Sequence, residues 1–330
     1  MALQPLVSIV TPSYNQADFL RDTLRSVLEQ DYPAIEYIVI DGGSDDGSVE
    51  IIREYEPDLA WWISEKDAGQ ADAINKGMAR AHGEIVAWLN SDDIYLPGAV
   101  SQAVKAFQAR PEAGLIYGDA ITIDAQGRPL NSLVFRDWGL LDLLAFRIIC
   151  QPAVFLRRWV YEESGSLNEN YHYMLDHFLW IRCARLSQLQ HIPSLWAAAR
   201  HHATAKNFSQ APGFGAETLR LLDWIKTQPD LAELFERNRR KIQAGAYRLN
   251  ARYLLDGGQP EAALKSYGRA LLNDPRYTSR HWHRILYAGL SMMGAQATAR
   301  WYVRYQEGRR PVLLEPALRS WPGLSLKGDR

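Results

Sequence analysis

EYIVIDGGSDDGS, residues 36–48, decides the fold. Its first half is a β-branched run that reads as a strand, and its second half is a turn of glycine, serine and aspartate. Asp41 stands where strand gives way to turn. The arrangement recurs. ISEKDAGQADAINKG, residues 63–77, delivers Glu65, Asp67 and Asp72 after a short apolar run, and IVAWLNSDD, residues 85–93, ends on Asp92 and Asp93. Asp58 is isolated and decorates a loop. In an open parallel α/β sheet, ligands bind in the crevice beyond the carboxyl ends of the strands. Carboxylates gathered there repel one another unless a cation or a donor-rich ligand neutralises them. The economical expectation is a nucleotide held by hydrogen bonds at one end and by a divalent metal at its phosphates.

Outward from that stretch, strands alternate with helices. LVSIVT, residues 6–11, is a strand closed by Pro12. Residues 18–29 carry Phe19, Leu20, Leu24, Val27 and Leu28 at helical spacing. A short helix follows Asp41, LAWWIS makes a third strand, a helix spans about residues 69–81, and EIVAWL is the fourth strand. This βαβ order predicts a parallel sheet with right-handed crossovers. Beyond Asp93 the pattern loosens. Residues 97–109 read as a helix, AGLIYGD as a strand, ITIDAQGRPLNSL as a hairpin around Gly127, QPAVFLRR as a strand, MLDHFLWIRCARL as an amphipathic helix and HIPSLWAAARHH as a late strand.

From Gly213 the strand signals stop. Tyr247, Gly258, Ala263, Tyr267, Ala270 and Pro275 fall where a tetratricopeptide-like pair of helices places its aromatic, small and terminating residues, so one such repeat is expected near 244–277. The expected organisation is an α/β domain over 1–210 and a helical domain over 211–330. Net charge divides along the same line. Residues 1–210 hold 17 Lys+Arg against 27 Asp+Glu, and the remainder 20 against 11. The acidic part suits a metal-bridged site; the basic part suits an anionic surface, or simply an interface with the acidic half. Two cysteines, Cys150 and Cys183, are too few for a disulfide framework, which fits a reducing cytosol. The start of the chain runs straight into a strand and no apolar run reaches the ~18–20 residues of a membrane span, so a cytoplasmic protein is expected.

VSIVTPSYNQADFLRDTLRSVLEQDYPAIEYIVIDGGSDDGS, SEKDAGQADAINKG and WLNSDDIYLPGA, in this order and spacing, resemble the successive motifs of family 2 glycosyltransferases. The match is strong over residues 6–100, loose over 101–210 and absent beyond. It implies the GT-A fold of nucleotide-diphospho-sugar transferases, an open mixed sheet flanked by helices, and an inverting, metal-dependent transfer of sugar from a nucleotide diphosphate, UDP first among them, to a hydroxyl. By that resemblance Thr11, Pro12 and Tyr14 line the nucleotide, and Asp41, Asp67, Asp72 and Ser91 bind it. Asp92 and Asp93 hold Mn²⁺ or Mg²⁺ with His202 near, Gln151 lines the acceptor and donor pocket, and Asp176 is the catalytic base. Each role has a bland competitor: a turn or cap for Asp41, an i,i+4 pair with Lys76 for Asp72, an Asx turn for Asp92 and Asp93, and an N-cap for Asp176. His201 and His202 point opposite ways in extended chain, so at most one reaches a site. Trp61, Trp62 and Trp88 read as packing residues.

The sequence departs from the family pattern twice. Asn90 stands where the metal signature has its first acid, and Ile74 stands where many relatives carry Arg. The expected partners are a nucleotide-sugar donor and a glycan, lipid-linked or protein acceptor, with no nucleic acid. The basic helices are open to the acceptor, a peripheral membrane face or a second copy of the chain. Two rivals stay in view. A nucleotidyltransferase would carry a Gly-rich, basic phosphate loop after its first strand, and TPSYNQADF has neither Gly nor Lys. A catalytically inactive scaffold would have lost Asp92, Asp93 or Asp176, and all three are present.

Overall fold

The computed structural model describes residues 4–202, 206 and 210–292. Two compact units divide the chain: one of residues up to Trp138 together with Ile149–His201, the other of Gly139–Ile148 with the helices that follow His202.

The first unit is built on one mixed sheet. Strands β1 (Val7–Ser13), β2 (Ile35–Asp41), β3 (Trp61–Ser64) and β4 (Ile85–Trp88) are parallel neighbours in the order β3-β2-β1-β4. Their carboxyl ends therefore share one edge. Register sets Ser13 beside Asp41 and Asp41 beside Ser64. Beyond β4 the sheet turns antiparallel through β8 (Val154–Arg157) and β6 (Ala113–Asp124), then continues through β9 (Gln188–His201) and the two-residue β5 (Ile94–Tyr95). β7 (Pro129–Leu133) pairs back on β6. The hairpin expected around Gly127 is the far half of a single 12-residue β6 with its return strand, because the chain passes through Gly118 and Asp119 with a shift of register against β9 and stays in the ladder.

Four helices flank the sheet: α1 (Ala17–Leu28), α2 (Ser48–Tyr55) and α3 (Gln70–Met78) beside the parallel strands, and α4 (Ala99–Ala109) against β6 and β9. The central strands are apolar on both faces; Val7, Ile9, Val10, Ile38, Val39, Ile40 and Ala87 are all buried, as a strand covered on two sides requires. Pro12 does not close β1 as expected. The strand runs on to Ser13, whose carbonyl accepts from the Gly42 N–H, so pairing resumes past the missing donor. Helix α6 (Arg158–Glu163) follows β8, and α7 (Leu175–Leu186) lies against β4 through a stack of Trp180 on Trp88, ring centroids 5.1 Å apart.

The second unit holds α5 (Leu140–Leu144), α8 (Ala211–Thr227), α9 (Ala232–Asp256), α10 (Pro260–Asn273), α11 (Pro275–Ser279) and α12 (Trp282–Met292). Ala263, Tyr267 and Ala270 lie fully buried along α10, and Gly258 turns the chain between α9 and α10 at φ +73°. Residues 139–148 belong to this unit although they lie within the first 210. Gly245 on α9 meets the Ala145 backbone with no room for a side chain, and Arg248 donates to the Phe146 carbonyl at 3.0 Å. Among the described residues no helix is long and apolar enough to cross a membrane.

The seat of α3 on the sheet is tight. A Cβ on Gly77 would fall 2.4 Å from Val10 Cγ1 and 3.2 Å from Ile40 Cγ1, both on core strands. Gly77→Ala gains helix propensity of ~1 kcal/mol but overpacks a rigid β-branched neighbour. We expect a net loss of roughly 1–2 kcal/mol, read as a lower urea midpoint with unchanged slope.

Candidate active site

Three strand ends and the loops after them make one end of the candidate site. Asp41, wholly buried at the end of β2, is encircled by donors from its own surroundings. Its Oδ2 accepts from the Gly43 and Ser44 N–H groups at 3.1 and 2.9 Å and from Ser64 Oγ at 2.7 Å, and its Oδ1 accepts from Ser44 Oγ at 2.6 Å. The carboxylate thus shapes the loop that carries it, with one lone pair left on Oδ1. Gly42 lies in contact with Asp67 and Tyr14. A Cβ there would come 2.7 Å from Asp67 Oδ2 and 3.2 Å from the Tyr14 ring.

Tyr14 is 62% exposed, so its ring offers a bare face beside the Asp67 carboxylate. Asp67 also accepts from the Gly69 N–H at 2.8 Å, and Gly69 sits at φ +115°, a backbone state other residues resist. Thr11 and Pro12 are buried in β1, and the Thr11 hydroxyl meets Tyr37 Oη at 2.9 Å. Asp72 accepts from the Ala68 N–H at 2.9 Å and pairs with Lys76 at 3.2 Å. The Ala68 N–H holds its carboxyl below the usual range; partial burial opposes that and Lys76 adds to it.

The loop after β4 is the second part. Asn90 is its hub. Its amide donates to Asp93 Oδ2 at 3.2 Å and to Gln151 Oε1 at 3.1 Å, while its Oδ1 accepts from Gln70 Nε2 at 2.7 Å. Gln151, buried, donates in turn to the Trp88 carbonyl at 2.8 Å. Asp93 is 6% exposed and accepts from the Arg200 N–H at 2.9 Å. Burial, then the neighbouring Asp92 charge, push its carboxyl well above the usual range, against the pull of Arg200 and Asn90. Ser91 is buried, whereas Asp92 is partly exposed at the sheet edge.

Asp176 opens α7, partly exposed, with Oδ1 accepting from the His177 N–H at 2.6 Å. Trp180, one turn further on, is the ring stacked on Trp88. Cys150 lies just ahead of Gln151. Burial raises its thiol pKa, and Asp93 and Asp176 both add to the rise. Asn90 thus joins Asp93 and Gln151 in the loop after β4, the helix that Asp176 opens reaches β4 through Trp180, and Tyr14, Asp41 and Asp67 gather around Gly42. His202, half-buried just past β9, falls in the second unit.

The donors around Asp92 are oxygens, and among the described residues no three His, Cys, Asp or Glu side chains assemble into a cage. Such a set fits Mg²⁺ or Mn²⁺, which take one or two carboxylates and complete their shell with phosphate oxygens and water, and does not fit an all-protein zinc centre.

Arg200 is the residue that sequence reasoning missed. Only 5% exposed, it donates its N–H to Asp93, Nε to the Asp92 carbonyl at 2.9 Å, one terminal nitrogen to the Ala125 carbonyl at 3.1 Å and the other to Asp22 at 3.0 Å. Its signal was present: a guanidinium ending the apolar run LWAAAR in a strand. Gln70 and Ser64 gave none, since their partners are set by register and helix seating.

The family model for glycosyl transferase family 2 matches residues 8–184. An uncharacterized glycosyltransferase of Mycobacterium tuberculosis is 42% identical over 120 residues, 36% of this chain and 46% of that protein. A putative teichuronic acid biosynthesis glycosyltransferase of Bacillus subtilis is 35% identical over 169 residues, 50% of this chain and 66% of its own. The chain thus spans about half to two thirds of these relatives. Staphylococcus aureus TarS residues 1–349 with UDP-GlcNAc superposes with a TM-score of 0.56 at 16% identity, covering 92% of this chain and 90% of that one. The mannosyltransferase PcManGT of Pyrobaculum calidifontis with GDP-Man and Mn²⁺ superposes with 0.59 at 18%, covering 93% and 85%. The fold is theirs. With more than half its residues under the family model and a sheet edge built of that family's motifs, the chain belongs to glycosyl transferase family 2.

Proposed function

We propose that this protein transfers a sugar, with inversion, from a nucleotide diphosphate to a hydroxyl of a glycan, lipid-linked or protein acceptor. The observation that carries the reading is the stack of Trp180, one turn past Asp176 on α7, on Trp88 of β4, the strand that leads into the Asp92 loop. A partly exposed acid for the diphosphate side and another for the acceptor side are what a single displacement needs. The other end of the site offers a ring and a carboxylate, Tyr14 and Asp67, for a base and its N–H donors.

In this reading Asp176 takes the acceptor hydroxyl's proton as that oxygen bonds to the anomeric carbon, and the bond from that carbon to the diphosphate breaks with its electron pair on the leaving group. Asp92 is the ligand for Mn²⁺ or Mg²⁺. When bound, the cation supplies positive charge to the departing diphosphate. Asp93 takes the inner position, fixing the loop from beneath. Asp41, wholly buried, supports the nucleotide loop from beneath. Asp72 and its Lys76 partner brace the start of α3. UDP is the nucleotide to test first and GDP second, since neighbours of the same fold hold UDP-GlcNAc and GDP-Man.

Asn90 explains its own departure from the family signature. Its amide donates to two acceptors, and a carboxylate could donate to neither and would face Asp93. Asn90→Asp should cost about 2 kcal/mol in urea unfolding and weaken Mn²⁺-dependent nucleotide binding; equal stability would contradict the role given to that amide.

Two measurements test the reading as a whole. UDP or GDP with Mn²⁺ should raise the melting temperature, by an amount equivalent to ~2.7 kcal/mol at a hundredfold excess over Kd, and Asp92→Ala should remove the metal-dependent part; no stabilisation by any nucleotide diphosphate would overturn it. Asp176→Asn should lower turnover of the nucleotide sugar by about 10²–10⁴ while leaving nucleotide affinity in place, and an active variant would dismiss Asp176 as the base.

A further inference from the structure

Most basic side chains described in the second unit pair with acids, among them Lys241 with Asp142 and Lys265 with Glu261, but one group around Tyr277 does not. Arg147, just after α5, places its guanidinium carbon 4.9 Å from the centre of the Tyr277 ring. Arg248, on α9, places its own 5.9 Å from the same ring. His281 stands edge-on to that ring at 5.8 Å. Arg252 and Arg284 border the group, and both reach a single carboxylate, Asp256, at 3.5 and 3.1 Å. Among the described residues neither Arg147 nor Arg248 has a carboxylate within ion-pair distance. Arg248 donates one terminal nitrogen to the Phe146 carbonyl, and its Nε is shielded from solvent with no hydrogen-bond partner.

That arrangement is costly. A guanidinium partly withdrawn from water with no carboxylate partner is penalised, and an orphaned shielded N–H adds to the cost. The crowding reaches the neighbours. Burial and then the charges of Arg248, Arg284, His283 and Arg147 press His281 down to about 3, so it stays neutral beside them. Burial lowers the Arg248 guanidinium in the same way, with Arg252 and Arg147 adding to it. Departures of this kind are expected where a site is built for a ligand.

We propose that the second unit binds a phosphate group on Arg147 and Arg248, beside Tyr277. Two guanidiniums offer forked donors and two positive charges, which match a phosphate's several oxygens and its charge near neutral pH better than a single carboxylate would. Arg147 is half-buried, so the pair is reachable from solvent. The phosphate can be a free one or that of a lipid headgroup; the recognising chemistry is the same.

The test uses the full chain. Inorganic phosphate is titrated calorimetrically at constant ionic strength, with chloride as the reference anion. Wild type should bind, Arg147→Gln should raise Kd about tenfold or more, and Arg248→Lys, which keeps the charge and loses the fork, should raise it several-fold. Arg147→Gln is the decisive variant because Arg248 is packed and its replacement can disturb folding; circular dichroism confirms that the helices persist. Flotation with phosphatidylglycerol against phosphatidylcholine vesicles separates the sources. Retention on phosphatidylglycerol that Arg147→Gln abolishes and free phosphate competes away assigns a headgroup, whereas phosphate binding without flotation assigns a free phosphate. No binding by wild type, or a Kd unchanged in Arg147→Gln, overturns the proposal.

Discussion

A carboxylate withdrawn from water at the end of a central strand has to be met by donors, and the way Asp93 is met organises this site. The Arg200 N–H and the Asn90 amide hold its two oxygens. Because Arg200 comes from β9 and Asn90 from the end of β4, the buried acid ties the antiparallel half of the sheet to the parallel half. The same guanidinium holds the Asp92 carbonyl and reaches Asp22 on α1. Asn90 extends the network to Gln70 on α3 and Gln151 before β8. Four elements are thereby fixed around a loop whose one partly exposed acid is Asp92.

The consequence is a division of labour between adjacent acids that look alike in sequence. Asp92 and Asp93 differ in exposure because the turn closed by the Asp93 N–H on the Asn90 carbonyl folds the second acid inward onto Arg200 and Asn90 and leaves the first partly exposed. One is left to meet a ligand, while the other is locked by its surroundings. Asp41 repeats the pattern on β2. Its oxygens are held chiefly by the loop it shapes, and the exposed groups beside it, Tyr14 and Asp67, are the ones that face outward. A fixed inner carboxylate under a partly exposed outer one is a sound basis for a preorganised site, since the inner contacts are in place before any ligand arrives.

Much of this was legible in the chain. The four parallel strands and the helices between them followed from β-branched runs alternating with 3.6-residue periodicity, and acids at strand ends followed from the turn chemistry beside them. The hairpin around Gly127 is legible, but its first arm reads short because Gly118-Asp119 looks like a break, whereas the strand absorbs it as a shift of register against β9. The two-residue β5 carried no signal at all; its pairing with Ala197 and Ala198 is dictated by β9 alone. In the site, the side chains on the motifs could be named, while their partners could not. Which acid is buried, and that Thr11 faces Tyr37 within the protein, depend on register and seating, which no local pattern encodes. Residues 139–148 likewise look like a connector in sequence, and only Gly245, cleared of any side chain, reveals where they pack.

The account stands or falls on where the cation and the sugar sit. A crystal structure of the protein with a nucleotide-diphosphate sugar and Mn²⁺ measures both. The result predicted is Mn²⁺ on the Asp92 carboxylate and the diphosphate, Asp93 still bonded to the Arg200 N–H, and the anomeric carbon presenting its open face to Asp176. Mn²⁺ seated away from Asp92, or a sugar whose open face is turned from Asp176, would contradict it.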